Sequence, residues 1–123
     1  RVSIDVIVMV LRRFGIGMAI RTDGSGHTLS VDVWNDASVA GAKVGMTRSE
    51  TDNALGTPSS VTQETMGAGR MISVSQSNRY FGRLTNLSPE SQVTVCTYET
   101  SSGTVQAIFA SSTGPCLLLE VLP

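Results

Sequence analysis

The sequence predicts an α+β fold, a short helix pair packed on an antiparallel sheet with an extra N-terminal strand and hairpin. Three observations carry this expectation. The run from Thr47 to Pro58 contains both a start and a stop for a helix. Just upstream, Asn35-Asp36-Ala37-Ser38 offers a second N-cap. Before and after these helices lie apolar, partly alternating segments set off by Gly, Pro and Ser-rich turns, as strands are.

Taken in order, Val2, Ile4, Val6, Val8 and Val10 alternate, so Val2 to Leu11 reads as a strand. With Asp5 inside and Arg12-Arg13 following, it is far short of the roughly 20 apolar residues of a membrane span. Gly15 to Arg21 and Thr28 to Trp34 flank Asp23-Gly24-Ser25-Gly26, the strongest hairpin signal in the chain. Leu29, Val31 and Val33 share one face of the second arm, with Ser30, Asp32 and Trp34 on the other. The first helix runs from Val39 to Val44, and Gly45 and Met46 form its joint with the second. There Thr47 and Glu50 are spaced as a capping box, each side chain bonding the other's backbone amide. Leu55 is placed to anchor the pair to the sheet, Gly56 to supply a left-handed C-cap, and Pro58 to prevent resumption. Arg70 to Gln76, Gln92 to Tyr98, Val105 to Ala110 and Leu117 to Leu122 read as further strands, with turns at Gly67-Ala68-Gly69 and Ser88-Pro89-Glu90. The last strand is apolar on both faces apart from Glu120, as a doubly buried strand would be. An apolar strand at each end of the chain also invites a homodimer through edge strands.

A chain of 123 residues is expected to form one domain and to bury about two thirds of its unfolded surface. A net charge of −1, with only 15% charged residues, leaves no long-range field to attract nucleic acid. Abundant Ser, Thr and Gly with scarce Lys suit a β-rich exported protein. The sequence starts at Arg1 without Met, which reads as a trimmed chain, so membrane association is expected only through an anchor lost upstream.

Cys96 and Cys116 are the two cysteines. A bond between them would close a loop of about 20 residues and contribute roughly 3 kcal/mol, tying a central strand to the C-terminal segment. The alternative is two buried thiols in a reducing compartment, because spacing alone does not bring the α-carbons within reach. Two cysteines so far apart and one histidine make no zinc or iron–sulfur site, and no cofactor is expected.

The letters Val44-Gly45-Met46-Thr47 followed by Leu55-Gly56-Thr57-Pro58 resemble the signature of the SmpA/OmlA (BamE-like) small envelope-protein family. That resemblance implies a short helix pair before a three-stranded antiparallel sheet, with Gln92 to Tyr98 and Ser101 to Val105 looking like the final hairpin. It divides the chain into N-terminal strands (1–34), a BamE-like core (36–110) and a C-terminal strand (111–123). It also implies a non-catalytic periplasmic, cell-envelope or secreted module that binds another protein or organises outer-membrane assembly. The β-lactamase inhibitory protein is built from related modules, so a secreted inhibitor of an enzyme is the second reading. Leu84 to Val95 is similar to the corner of fibronectin type III domains, although Val93 stands at the tyrosine position. An all-β binding domain is the third.

No catalytic constellation emerges, and the chain is not expected to be an enzyme. Thr22-Asp23-Gly24-Ser25 is similar to the strand-end motif of RNase H-like nucleases, but that chemistry needs further carboxylates on the same metal, and a hairpin turn uses the same residues. His27 lies near Asp23 and Ser25 in sequence, yet a triad needs its base held between its partners in space. Gly67-Ala68-Gly69-Arg70 is too short for a phosphate loop. For binding, Asn78 to Arg83 places Arg79 and Arg83 around Tyr80 and Phe81, a composition enriched in interface hot spots. The other reading buries one aromatic and leaves both arginines in solvent. Trp34 reads as a packing plug.

Overall fold

The computed structural model describes residues 18–22, 25–33, 38–81, 86–101 and 103–122. The expected strand Val2 to Leu11, Trp34, Asp23 and Arg83 fall outside them. Strands β1 (Met18–Thr22), β2 (Thr28–Val33), β5 (Ser60–Thr65), β6 (Gln92–Thr100), β7 (Gly103–Phe109) and β8 (Cys116–Leu122) form one sheet. A two-residue pair, β3 (Ser38–Val39) and β4 (Ala42–Lys43), precedes helix α1 (Arg48–Leu55), and α2 (Ala68–Phe81) links β5 to β6. The sheet order is β1-β2-β8-β7-β6-β5, and every neighbouring pair is antiparallel.

The β1–β2 hairpin forms where the turn signal places it, with Gly26 at φ 90°. β6, β7 and β8 make a meander. Cys96, Tyr98, Val105, Ala107, Phe109 and Leu119 point to one face, where Val33 from β2, Ala42 from β4 and Leu55 from α1 join them. Val93, Val95, Ile108 and Leu118 point to the other, packed with Met66 and with Val74 of α2. The two helices therefore cover opposite faces. β8 lies between β2 and β7, and Leu118, Leu119 and Glu120 are all buried, as an apolar run on both faces requires. Both of its edges are satisfied within the chain, so β8 offers no edge to a partner.

The helix-pair expectation is overturned. Residues Val39 to Val44 form no helix; Ala40 (φ 51°) and Gly41 (φ 90°) both take positive φ, the signature of a tight hairpin turn joining β3 to β4. Six residues make few intrahelical bonds against the cost of nucleation, so the turn conformation at Ala40 and Gly41 prevails. Arg70 to Gln76 is also not a strand but part of α2. The alternation Arg70-Met71-Ile72-Ser73-Val74 is too brief to decide, and in the helix Arg70, Ser73 and Val74 share one face. The architecture is mostly β, with two separate helices on a six-stranded sheet, rather than an α+β helix pair on a sheet. Six of the eight described strands lie in one sheet and the other two form only a short pair, unlike a two-sheet sandwich. β5 was not anticipated, because Val61 is its one apolar residue.

The Cys96–Cys116 bridge is likewise corrected, since both residues are buried free thiols. Cys96 stands opposite Ala107 and Cys116 opposite Phe109, so β7 lies between them. Two strand spacings, about 10 Å, exceed the roughly 7 Å limit on bridged α-carbons.

Candidate functional site

The start of helix α1 is built as its letters require, whereas Gly56 ends it at positive φ (93°) with an extended ψ (−170°) in place of the expected left-handed cap. The Glu50 amide donates to Thr47 Oγ1 (3.2 Å) and the Thr47 amide to Glu50 Oε1 (3.1 Å). Thr51 and Leu55, one turn apart, form the buried face, and the Gly56 amide closes the helix on the Asp52 carbonyl (2.7 Å). Gly45 and Met46 also tie the start of the helix to the sheet, since the Gly45 amide donates to the Cys116 carbonyl and the Cys116 amide to the Met46 carbonyl, each at 2.8 Å. Pro58 then directs the chain into β5.

Against this helix, Tyr98 Oη donates to Asp52 Oδ1 (2.5 Å), which also accepts from Arg48 Nε (3.3 Å). Burial, and then the bond to Asp52, raise the Tyr98 pKa well above its ordinary value. Burial also raises the Cys96 thiol, with Arg48 opposing it, and pushes Cys116 up to about 12. Burial thus disfavours the thiolate form of both cysteines.

The opposite face carries a polar row that sequence reasoning missed. Asp32 is opposite Glu120, Glu120 opposite Gln106, Gln106 opposite Thr97 and Thr97 opposite Ser60, so one line of polar side chains crosses five strands. Ser30 and Ser73 hydroxyls donate to the two oxygens of Asp32 (2.8 and 2.9 Å). Arg70 reaches down from α2, donating from Nε to Glu120 Oε1 (2.6 Å), from Nη1 to Glu64 Oε1 (3.3 Å) and from Nη2 to Gln106 Oε1 (3.3 Å). Burial works against the Arg70 charge, but Glu120 and Glu64 hold its pKa raised. The signal was available: Glu120 inside a doubly apolar strand must have a cationic partner.

Arg70 also fixes one face of the outer strand, because its Glu64 partner belongs to β5. Glu64 accepts from Thr62 Oγ1 as well (2.6 Å), and that bond, with Arg70, lowers its pKa. β5 pairs with β6 from Ser60 to Thr65 without a register shift, and Gln63 Nε2 donates to Thr94 Oγ1 (2.9 Å). The Met66 amide donates to the Ser91 carbonyl (2.8 Å). By antiparallel alternation the backbone groups of Glu64 and Thr62 therefore face β6, and those of Val61, Gln63 and Thr65 face outward. Val61, 48% exposed, is the exposed large hydrophobic residue among those described.

Arg79, Tyr80 and Phe81 occupy the last turn of α2, where the backbone alone is described. Ser25 and His27 meet at 2.7 Å (Oγ to Nδ1) on the exposed turn after β1. Among the described residues no group of acidic, His or Cys side chains is arranged to hold a metal, and no helix is long and apolar enough to cross a membrane. Compared with protein-family models, curated proteins and solved structures, the chain gives no match.

Proposed function

We propose that the chain is a non-catalytic protein-binding module that works by strand addition, the β5 edge accepting an extended segment of another polypeptide chain. The observation supporting this is that β5 ends the strand order and, among the described residues, no strand pairs with its outer side. Outer strands are commonly blunted by Pro, Lys, a bulge or an exposed charge. β5 contains no Pro and no Lys, keeps its register with β6, and has its one charge, Glu64, tied to Arg70. Strand addition draws affinity from main-chain bonds and specificity from alternate side chains, here Val61, Gln63 and Thr65. A cell-envelope or secreted setting rests on the resemblance of Val44 to Pro58 alone, because free thiols give no argument for an oxidising compartment.

The test is selection from a displayed peptide library against the immobilised chain. Gln63→Pro, which removes an outward amide and leaves the β6 ladder intact, serves as counter-selection. Enriched peptides should slow hydrogen exchange at Val61, Gln63 and Thr65. Peptides that bind Gln63→Pro equally well would refute the edge as the site.

A further inference from the structure

From the register of β5, we infer that its occupant is a second copy of the chain, docked antiparallel about a two-fold axis through Gln63. This rests on the strand-addition reading and names its partner. Within β5, Val61, Gln63 and Thr65 present the outward backbone groups, so the hydrogen-bonded pairs of an antiparallel junction must be drawn from these three. Centring on Gln63 uses all of them. Val61 then faces Thr65 of the second copy, Gln63 faces its own counterpart, and Thr65 faces Val61.

The side chains suit this register on both faces. On the face of Val61, the exposed isopropyl group meets the Thr65 methyl, a β-branched pair of the kind that stabilises cross-strand contacts, and the two Gln63 amides can exchange hydrogen bonds. On the face of Glu64, the symmetry sets that carboxylate opposite Thr62 rather than against its own copy, so no like charges oppose. Each Glu64 already has Arg70 at 3.3 Å, which keeps its charge compensated within its own subunit. The result is a continuous sheet through both copies. A single six-residue strand per copy buries little area, so the dimer is a weak one that dissociates on dilution.

The experiment uses charge swaps at the axis, followed by sedimentation over a concentration series. The wild-type chain should associate as concentration rises. Gln63→Lys and Gln63→Glu, each placing two like charges face to face, should each shift dissociation to at least tenfold higher concentration. An equimolar mixture of the two should regain association at or beyond the wild-type level, which a merely destabilised strand would not do. Both variants alter the bond to Thr94, and their unfolding midpoints check that the fold is kept. A wild-type chain that stays monomeric at the highest concentration, or a mixture that fails to re-associate, overturns the second-copy assignment. If library peptides still protect β5 in that monomer, strand addition stands with a different partner; if they do not, that reading falls too.

Discussion

On the α1 face of the sheet, Leu55, Phe109 and Leu119 meet as apolar side chains, and the polar contact of Tyr98 with Asp52 lies at the margin. On the α2 face, much of the covering contact is polar: Ser73 on Asp32, and Arg70 on Glu120, Gln106 and Glu64. The first face is held by removal of apolar surface from water, tolerant of angle and reach. The second depends on directional bonds whose partners must all arrive together, and losing one leaves the others buried in a poor solvent. A helix over a polar row is therefore placed more specifically and fails more abruptly.

The largest expected effect comes from breaking the polar side. Arg70→Ala strips the guanidinium from a carboxylate that is 1% exposed and should cost about 3 to 5 kcal/mol in chemical denaturation. Adding Glu120→Gln should recover part of the loss. An unchanged midpoint for Arg70→Ala would erase the contrast between the faces. On the apolar side, Leu55→Ala should cost about 2 to 5 kcal/mol, toward the lower end because Leu55 lies at 9% exposure near the rim.

The apolar side should also reveal itself at alkaline pH. Tyr98, Cys96 and Cys116 all have folded pKa values raised above their unfolded ones, so their contribution is complete below the unfolded values near 9 to 10. It is lost as pH rises toward the folded values. Urea midpoints should hold to about pH 8 and then fall, and Tyr98→Phe should flatten part of that decline. A midpoint level through pH 10.5 would contradict the burial of these groups. Smaller still, Thr47→Ala should cost about 1 kcal/mol through the lost cap. The mildest check is chemical: unreduced native protein should show no mass change with reductant, and both thiols should react with an alkylating agent only as the chain unfolds.

How much of this was legible in the letters follows the same division. The Thr47 cap, Gly56 and the β1–β2, β6, β7 and β8 strands are local signals, carried by turn chemistry and alternation within a few residues. The β3–β4 hairpin escaped because its turn uses Ala40 in a conformation that alanine seldom takes. β5 escaped because an edge strand with exposed faces needs no hydrophobic pattern. α2 escaped because its inner face mixes Arg70 and Ser73 with Val74, and most of the partners that hold half-buried Arg70 and buried Ser73 lie on β2, β7 and β8, out of reach of any window. The open edge of β5 is visible only once the strand order is known, whereas Arg79 to Arg83 drew attention by composition alone.

The paired backbone bonds between Gly45, Met46 and Cys116 join residues about seventy positions apart, and β8 itself is last in sequence yet third across the sheet. Neither the β1–β2 hairpin nor the start of α1 can reach its final neighbours before β8 is in place. Non-local closure of this kind slows folding. The slow step of refolding should thus be the insertion of β8 between β2 and β7, with Val31 and Val33 exposed to wrong pairings until it happens.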